Sequence, residues 1–117
     1  MSERGFRTGE CDPHGRQPNE AGAKLDAGKN RLGLMINGFS HALREVGEVT
    51  TYGANKYTPN GWVSVPDGFN RYQDAMYRHL LCFASGEEKD ADTGLPHLAH
   101  AAWNALAILE LQLTKKI

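Results

Sequence analysis

The chain has 117 residues, so a single domain is expected. Its 13 basic and 14 acidic residues leave a formal net charge of −1, and this balance argues against a nucleic acid or an anionic membrane as the partner. A free nucleotide stays open as a ligand, because a local cluster of lysines and arginines can bind one within a chain of balanced charge.

The cysteines and the hydropathy pattern indicate the compartment. Cys11 lies in a polar segment and Cys82 in an apolar one, which argues against a disulfide framework and against a cysteine-based zinc site. The N-terminal residues are polar rather than signal-like, and no apolar run reaches the length of a membrane span. We therefore expect a soluble, cytoplasmic protein with no membrane partner.

The first segment has the composition of a tail. Residues 1–23 are rich in Gly, Pro, Arg, Glu and Asn, with Phe6 as their one aromatic. Such a segment buries too little apolar surface to offset the entropy that is lost on ordering. We predict a flexible N-terminal arm over residues 1–23, or an arm that docks on a neighbouring subunit, and a folded domain over residues 24–117.

Three stretches show the apolar spacing of a helix, with steps of three and four residues. They run from about residue 38 to 57, from 69 to 84 and from 96 to 113. Thr93 is placed to cap the third helix, and Pro96 suits its first turn. No stretch shows the strict alternation of a half-buried strand, so the predicted fold class is all-α.

A pair of carboxylates marks the first predicted helix. The spacing of three places Glu45 and Glu48 on one helix face, at the edge of the apolar stripe that contains Val46 and Val49. Two carboxylates there repel each other unless a cation lies between them, and Mg²⁺ and Mn²⁺ prefer oxygen ligands. The alternative is a solvated face with two surface glutamates, because this spacing is common.

The third predicted helix, LAHAAWNALAILELQL, is apolar almost all round and is expected to be buried in a bundle or an interface. Its polar exceptions are His97, His100 and Asn104, whose spacings of three and four form one stripe. Buried polar groups need partners, and a stripe that faced Glu45 and Glu48 would have them. Neutral imidazoles also bind transition metals, and a histidine can bond a carboxylate or a phosphate. The alternative is that these side chains only make hydrogen bonds in the core.

The second predicted helix carries a charged cluster with two interpretations. Asp74 and Arg78 have the spacing of an ion pair on a helix face. Alternatively, the planar guanidinium of Arg78, beside His79 and just before an apolar run, contacts a phosphate. The sequence favours neither interpretation over the other.

Two segments combine positive charge with aromatic or amide side chains. Lysines neutralise phosphates as point charges, an aromatic ring can stack on a base, and an amide can read the edge of that base. The alternative is that these are surface loops with ordinary anchoring aromatics. The candidate residues are Lys24 and Lys29 in KLDAGKNR, and Lys56, Tyr57, Asn60 and Trp62 in KYTPNGW.

These features occur together in a known pattern. The stretches KLDAGKNRLGLM, GEVTTYGANKYTPNGW and RYQDAMYRHLLCFASGEEKDADTGLPHLAHAAWNAL resemble the phage dATP/dGTP diphosphohydrolase family. This family is also called MazZ and is related to the MazG-like all-α nucleotide pyrophosphohydrolases. The resemblance covers about residues 24–110. It implies a MazG-like helical bundle in a homo-oligomer, a dimer or a tetramer, located in the host cytoplasm if a phage encodes it.

The resemblance also implies a divalent metal site, with Mg²⁺ or Mn²⁺ as the expected ion and Co²⁺ or Zn²⁺ as alternatives. The MazG-like hallmark is Glu-x-x-Glu on one helix and Glu-x-x-Asp on a later one. Glu45 and Glu48 match the first half, whereas His97 and His100 stand where the second half is expected. The missing carboxylate is therefore expected from another position. Its candidates are Asp92, which we favour, and Asp90, Glu87 and Asp74.

The expected reaction cleaves a purine deoxynucleoside triphosphate, dGTP or dATP, between the α and β phosphates and releases the monophosphate and pyrophosphate. The ions would clamp phosphate oxygens and lower the pKa of a bound water, which Glu48 would orient or deprotonate, with Glu45 beside it. The remaining candidates would bind the substrate. They are Lys24, Lys29, Lys56, Arg78 and His79 for the phosphates, Tyr57, Asn60 and Trp62 for the base, and Asn104 on the third helix.

Two other functions compete with this hypothesis. The first is a non-catalytic module that binds nucleotides or a partner, which the histidines in place of carboxylates would favour. The second is a structural oligomerisation domain, in which the apolar third helix is simply an interface. That second alternative leaves the stripe of His97, His100 and Asn104 unexplained.

Overall fold

A computed structural model describes residues 11–116. Over this range the regular structure is helical, without a β-strand, and one isolated antiparallel bridge joins Lys89 to Pro96. The predicted all-α class is therefore confirmed. The described residues fall into two units, which divide between Gly38 and Phe39.

The first unit, up to Gly38, consists of turns followed by one short helix. The buried carboxylate of Asp12 organises the turns, because its Oδ1 accepts a hydrogen bond from the amide of His14 at 2.6 Å and its Oδ2 accepts one from the amide of Lys24 at 2.7 Å. Residues 1–10 of the predicted arm lie outside the described residues, and the flexibility of the arm stays a prediction.

Helix α1 spans Leu32–Gly38 and was not predicted from the sequence. Its apolar residues are nearly consecutive and exposed, so they do not form the stripe that a helix on a core requires. The glycines at positions 33 and 38 further lower the helical propensity of the segment. For the same reasons, the apolar spacing of the sequence predicts that the first helix begins only at about residue 38.

The second unit contains three long helices, and all three were predicted. Helix α2 spans Ser40–Lys56, α3 spans Gly68–Ala84 and α4 spans His97–Leu113. The predicted bounds agree with these to within two residues. The loop after α2 contains a short 3₁₀ helix, Gly61–Ser64, that the sequence did not indicate.

Helices α3 and α4 pack closely along their length, and α2 packs on α4 less extensively. The start of α3 lies close to the end of α4, since a Cβ added at Gly68 would come within 3.6 Å of Leu111 and within 3.3 Å of Tyr72. A larger residue at position 68 would therefore have to move one of these side chains. Leu111 is 2% exposed and is the most buried aliphatic side chain among the residues described.

Helix α4 has one buried face rather than burial all round. The expected burial in a bundle is confirmed for the positions that follow a spacing of three and four. The opposite face is exposed in the single chain, and its burial in an interface stays a prediction. The apolar side chains of that opposite face, 46–55% exposed, are Leu98, Leu106, Leu109 and Leu113. The buried positions are His97, Ala99, His100, Ala101, Asn104, Ala107 and Leu111.

An aromatic cluster joins the 3₁₀ helix to α3 and α4. The rings of Trp62, Tyr72 and Trp103 meet edge to face, with centroid separations of 5.5–6.1 Å. The hydroxyl of Tyr72 donates a hydrogen bond to the carbonyl of Trp62 at 2.8 Å. This cluster anchors the loop between α2 and α3 on the helix pair.

Within residues 11–116, no helix has both the length and the apolar character that crossing a membrane requires.

Candidate functional site

The loop between α3 and α4 folds back over the start of α4. Gly86, with φ of +104°, ends α3 in a conformation that favours glycine. The amide of Asp90 then donates to the carbonyl of Leu95 at 2.9 Å, and the amide of His97 donates to the carbonyl of Glu88 at 2.9 Å. These bonds hold the acidic segment EEKDAD beside the first turn of α4.

Thr93 does not cap α4, so that prediction was wrong. The helix begins after Pro96 without a side-chain cap. The hydroxyl of Thr93 instead accepts a hydrogen bond from the amide of Leu95 at 3.1 Å and lies 2.8 Å from Nε2 of His100. Because Thr93 serves the loop and the histidine, its hydroxyl links the acidic segment to the buried face of α4.

His97 is the most buried polar residue described, at 1% exposed, and both of its ring nitrogens have partners. Nε2 lies 2.6 Å from Oε1 of Glu87, and Nδ1 lies 2.9 Å from Nδ1 of His79. A carboxylate only accepts, so Nε2 of His97 carries a proton. In the neutral ring Nδ1 is then the lone-pair nitrogen, and it faces His79.

His79 and His100 form a stacked pair. Their ring centroids are 4.4 Å apart and their planes differ by 7°. Burial lowers the pKa of His79, and the nearby His100 lowers it further. Burial likewise lowers the pKa of His100. Both imidazoles are therefore held in the neutral form, which is the form that offers a lone pair to a cation.

Asp90 supplies negative charge beside the histidines. Its Oδ2 accepts hydrogen bonds from the amides of Thr93 at 2.9 Å and Asp92 at 3.1 Å. Partial burial by itself would raise the pKa of Asp90, but the hydrogen bond from the Thr93 amide, together with those from the Thr93 hydroxyl and the Asp92 amide, lowers it. The carboxylate is therefore ionised at neutral pH and available to a cation.

One group of side chains in the described part of the chain fits a divalent ion held mainly by nitrogen. A ligand atom from each of His79, Asp90 and His97 lies within 4.8 Å of the other two. Nitrogens bound to one ion at about 2.0–2.1 Å are roughly 3 Å apart, and the two Nδ1 atoms have a separation of 2.9 Å. Two imidazoles and a carboxylate suit Mn²⁺, Co²⁺ or Zn²⁺ better than Mg²⁺, which prefers oxygen.

A second group shares one residue with the first. Cys82, Glu87 and His97 also have ligand atoms within 4.8 Å of one another. Glu87 lies on the Nε2 side of His97, whereas His79 lies on the Nδ1 side. His97 therefore stands between two sets of potential ligands.

The predicted carboxylates of α2 are placed apart from these groups. Glu45 is half-buried and Glu48 is exposed, and neither belongs to a potential metal-binding group within residues 11–116. His97 and His100 make their side-chain hydrogen bonds with His79, Glu87 and Thr93, and not with the α2 glutamates. A role for Glu45 and Glu48 as ligands stays a prediction.

The other predicted residues of the acidic loop and α4 have local roles. Asp92, the favoured source of the missing carboxylate, is exposed, and its amide donates to Asp90. Asn104 is buried on the same face of α4 as the histidines, and its side-chain amide donates to the carbonyl of His100 at 2.8 Å. Of the acidic residues that the sequence left as alternatives, Glu87 contacts His97, and the carboxylate of Asp90 lies within 4.8 Å of the ligand atoms of His79 and His97.

The predicted substrate-binding residues of α2 and the following loop are mostly exposed. The ammonium group of Lys56 lies 5.3 Å from the ring centroid of Tyr57, which is 72% exposed. The neighbouring Tyr57 hydroxyl raises the pKa of Lys56, and Asp92 adds to this effect. Asn60 is exposed with φ of 59°, whereas Trp62 is half-buried in the aromatic cluster. Tyr57 is therefore better placed than Trp62 to stack on a ligand.

The remaining cationic candidates are exposed on both units. Arg78, the residue before His79 on α3, is exposed. Lys24 and Lys29 are exposed in the first unit, where Lys29 lines a surface depression together with Asn30, Arg31 and Asn37. These residues remain candidates for phosphate contact.

Sequence reasoning missed two contributions to the site. His79 was assigned to phosphate, but its Nδ1 atom faces His97 as a potential metal ligand. Cys82 was set aside because it lies in an apolar segment whereas Cys11 lies in a polar one, which argued against a cysteine-based zinc site. One feature of the sequence could have indicated both residues as potential ligands: they lie one turn apart at the end of the predicted second helix, next to the acidic loop.

The fold and the site together define a class: an α-helical protein in which histidines of two packed helices meet the carboxylates of an acidic loop. Comparison with known sequences narrows this class. The family described as dATP/dGTP diphosphohydrolase, N-terminal, matches residues 19–117. The chain therefore belongs to this family, and the resemblance drawn from the sequence motifs is confirmed.

One curated relative is the dATP/dGTP diphosphohydrolase of Salmonella phage PMBT28. It is 36% identical over 90 residues, which cover 77% of this chain and 29% of the relative. The chain thus spans less than a third of the length of that relative. No solved structure matches the chain.

Proposed function

We propose that this chain takes part in the metal-dependent hydrolysis of dATP and dGTP to the deoxynucleoside monophosphate and pyrophosphate, in the nucleotide metabolism of a phage. The observation that carries the proposal is the family match over residues 19–117, whose description names a dATP/dGTP diphosphohydrolase. The histidine and carboxylate cluster supports it, because such a cluster could hold a divalent cation, and a cation beside the phosphates stabilises the negative charge that hydrolysis develops.

A divalent ion would be held by His79, Asp90 and His97. When bound, it supplies a Lewis acid that stabilises charge on phosphate oxygens and lowers the pKa of a water. Glu87 accepts the Nε2 proton of His97 and thereby keeps the Nδ1 lone pair directed at His79. Stacking on His100 fixes the plane of the His79 ring.

Other residues of the second unit are proposed to act on the substrate. The exposed Lys56 would neutralise phosphate charge, and the exposed ring of Tyr57 would stack on the purine. Glu48 is proposed to orient or deprotonate the attacking water, with Glu45 beside it on the same face of α2. In the first unit, Lys24 and Lys29 are proposed to contact phosphates.

We further propose a homo-oligomer, a dimer or a tetramer. Large apolar side chains are exposed on α3 and α4, including Leu81 at 70%, Tyr77 at 49% and Leu109 at 47%. Exposed apolar patches of this kind mark interaction surfaces in soluble proteins. Sedimentation velocity tests this part of the proposal, and a species with the mass of a single chain would contradict it.

The reaction is tested by product analysis. The purified chain is incubated with each of the four deoxynucleoside triphosphates, with Mn²⁺, Co²⁺, Mg²⁺ or a chelator, and the products are separated by ion-exchange chromatography. We expect dAMP or dGMP together with pyrophosphate, and no turnover in chelator. Release of a single phosphate would preserve a hydrolase but contradict the proposed position of cleavage.

The second candidate function is a nucleotide-binding module without chemistry of its own. The small matched share of the relative favours this binding module, because the family model describes an N-terminal region and the chain matches 29% of the relative. Saturable binding of dATP or dGTP without turnover under any of these metal conditions would favour the binding module over the hydrolase.

A further inference from the structure

We propose that Cys82, Glu87 and His97 form a second cation site, specific for a thiophilic divalent ion of the Zn²⁺ or Cd²⁺ class, that excludes an ion from the site of His79, Asp90 and His97. The three ligand atoms lie within 4.8 Å of one another. The proposal concerns cation binding alone and does not depend on the hydrolytic activity.

The donor set favours a soft or borderline ion. A thiolate, an imidazole and a carboxylate are the ligands that Zn²⁺ takes in proteins, and three protein ligands leave a position open for water. Mg²⁺ and Ca²⁺ bind oxygen ligands and gain little from a thiolate. Occupation by a thiophilic ion releases the thiol proton of Cys82, because only the thiolate is a ligand.

The ligands are brought together by local backbone geometry. Cys82 is in the last turn of α3, and its carbonyl accepts a hydrogen bond from the amide of Glu87 at 3.0 Å. This bond closes the turn through Gly86 and brings the Glu87 side chain to Nε2 of His97 at 2.6 Å. The Glu87 side chain is 52% exposed, so an ion can reach the site from solvent.

The two sites compete because they use one imidazole. A neutral ring has one lone-pair nitrogen. When an ion binds Nε2 beside Glu87, the ring proton moves to Nδ1, and Nδ1 can no longer serve a cation shared with His79. A thiophilic ion at Cys82 therefore withdraws His97 from the first site.

Cadmium and manganese serve as probes on the intact chain. We expect Cd²⁺ to bind Cys82 at one ion per chain and to produce the ultraviolet charge-transfer absorption of a cadmium thiolate. The absorption should be lost in Cys82→Ser and kept in Cys11→Ser, the matched control, since Cys11 is the other cysteine of the chain. Circular dichroism shows whether each variant keeps its helices.

Two more measurements separate the sites. Glu87→Gln should weaken Cd²⁺ binding at least about tenfold, whereas His79→Ala should leave the cadmium-thiolate absorption in place. Bound Mn²⁺, followed by electron paramagnetic resonance, should be released as Cd²⁺ is added. Absorption that persists in Cys82→Ser, or Cd²⁺ and Mn²⁺ bound together without competition, would overturn the proposal. A chain that binds Cd²⁺ at Cys82 but hydrolyses no nucleotide would support this site and contradict the proposed function alone.

Discussion

Replacement of Glu87 by glutamine tests whether the acidic loop prepares His97 to bind a cation. The carboxylate accepts the Nε2 proton of His97 at 2.6 Å, which fixes the tautomer and makes Nδ1 more basic. Glutamine can accept the same proton, but its amide group can also rotate and donate, so it no longer specifies which nitrogen carries the proton. Loss of such a partner weakens metal affinity by about 10–100-fold, or about 1.4–2.7 kcal/mol.

The fold should tolerate this change. The Glu87 side chain is 52% exposed, so the free energy of unfolding should fall by less than about 1 kcal/mol. Isothermal titration calorimetry with Mn²⁺ gives the affinity, and thermal unfolding in chelator gives the stability. Glu88→Gln is the matched control, because its backbone carbonyl holds His97 whereas its side chain has no ion pair among the residues described. Equal Mn²⁺ affinity in Glu87→Gln and the wild type would refute the assigned role.

Three further predictions concern the core, the histidines and α2. Leu111→Ala should lower the free energy of unfolding by about 2–5 kcal/mol. Leu109→Ala, at a half-exposed position of the same helix, should lower it by about 1 kcal/mol or less; urea titrations of both variants at one protein concentration measure the difference. Because the pKa values of His79 and His100 lie below 6.5 in the folded chain, the unfolded chain binds more protons on acidification. The melting temperature in chelator should therefore fall as the pH drops below 6.5, and a constant melting temperature down to about pH 5 would contradict the burial of these rings. Glu48→Gln should abolish turnover and leave the melting temperature unchanged, since Glu48 is exposed, and near-wild-type turnover would remove it from the mechanism.

The three long helices could be predicted because each has an apolar period that only a helix places on one face. The same argument placed His97, His100 and Asn104 on one stripe of α4, and all three are buried there. Helix α1 could not be predicted, because its apolar residues are consecutive and exposed.

The sequence could not decide which of the candidate carboxylates lies beside the stripe, because that depends on the path of a loop. The loop from Gly86 to Pro96 closes through backbone hydrogen bonds whose donors and acceptors are common to every residue type. This closure brings Glu87 and Asp90 to the histidines, whereas helical spacing alone pointed to Glu45 and Glu48 on α2.

The sequence by itself determined the helical class, the family and the set of chemically capable residues, because periodicity, motif and side-chain type are properties of the chain. The tertiary structure decided which of those residues meet. His79 and His97 are 18 positions apart, yet their Nδ1 atoms are separated by 2.9 Å because α3 packs along α4. A metal site depends on distances of this kind, and only the packing of helices and the closure of the loop between them set those distances.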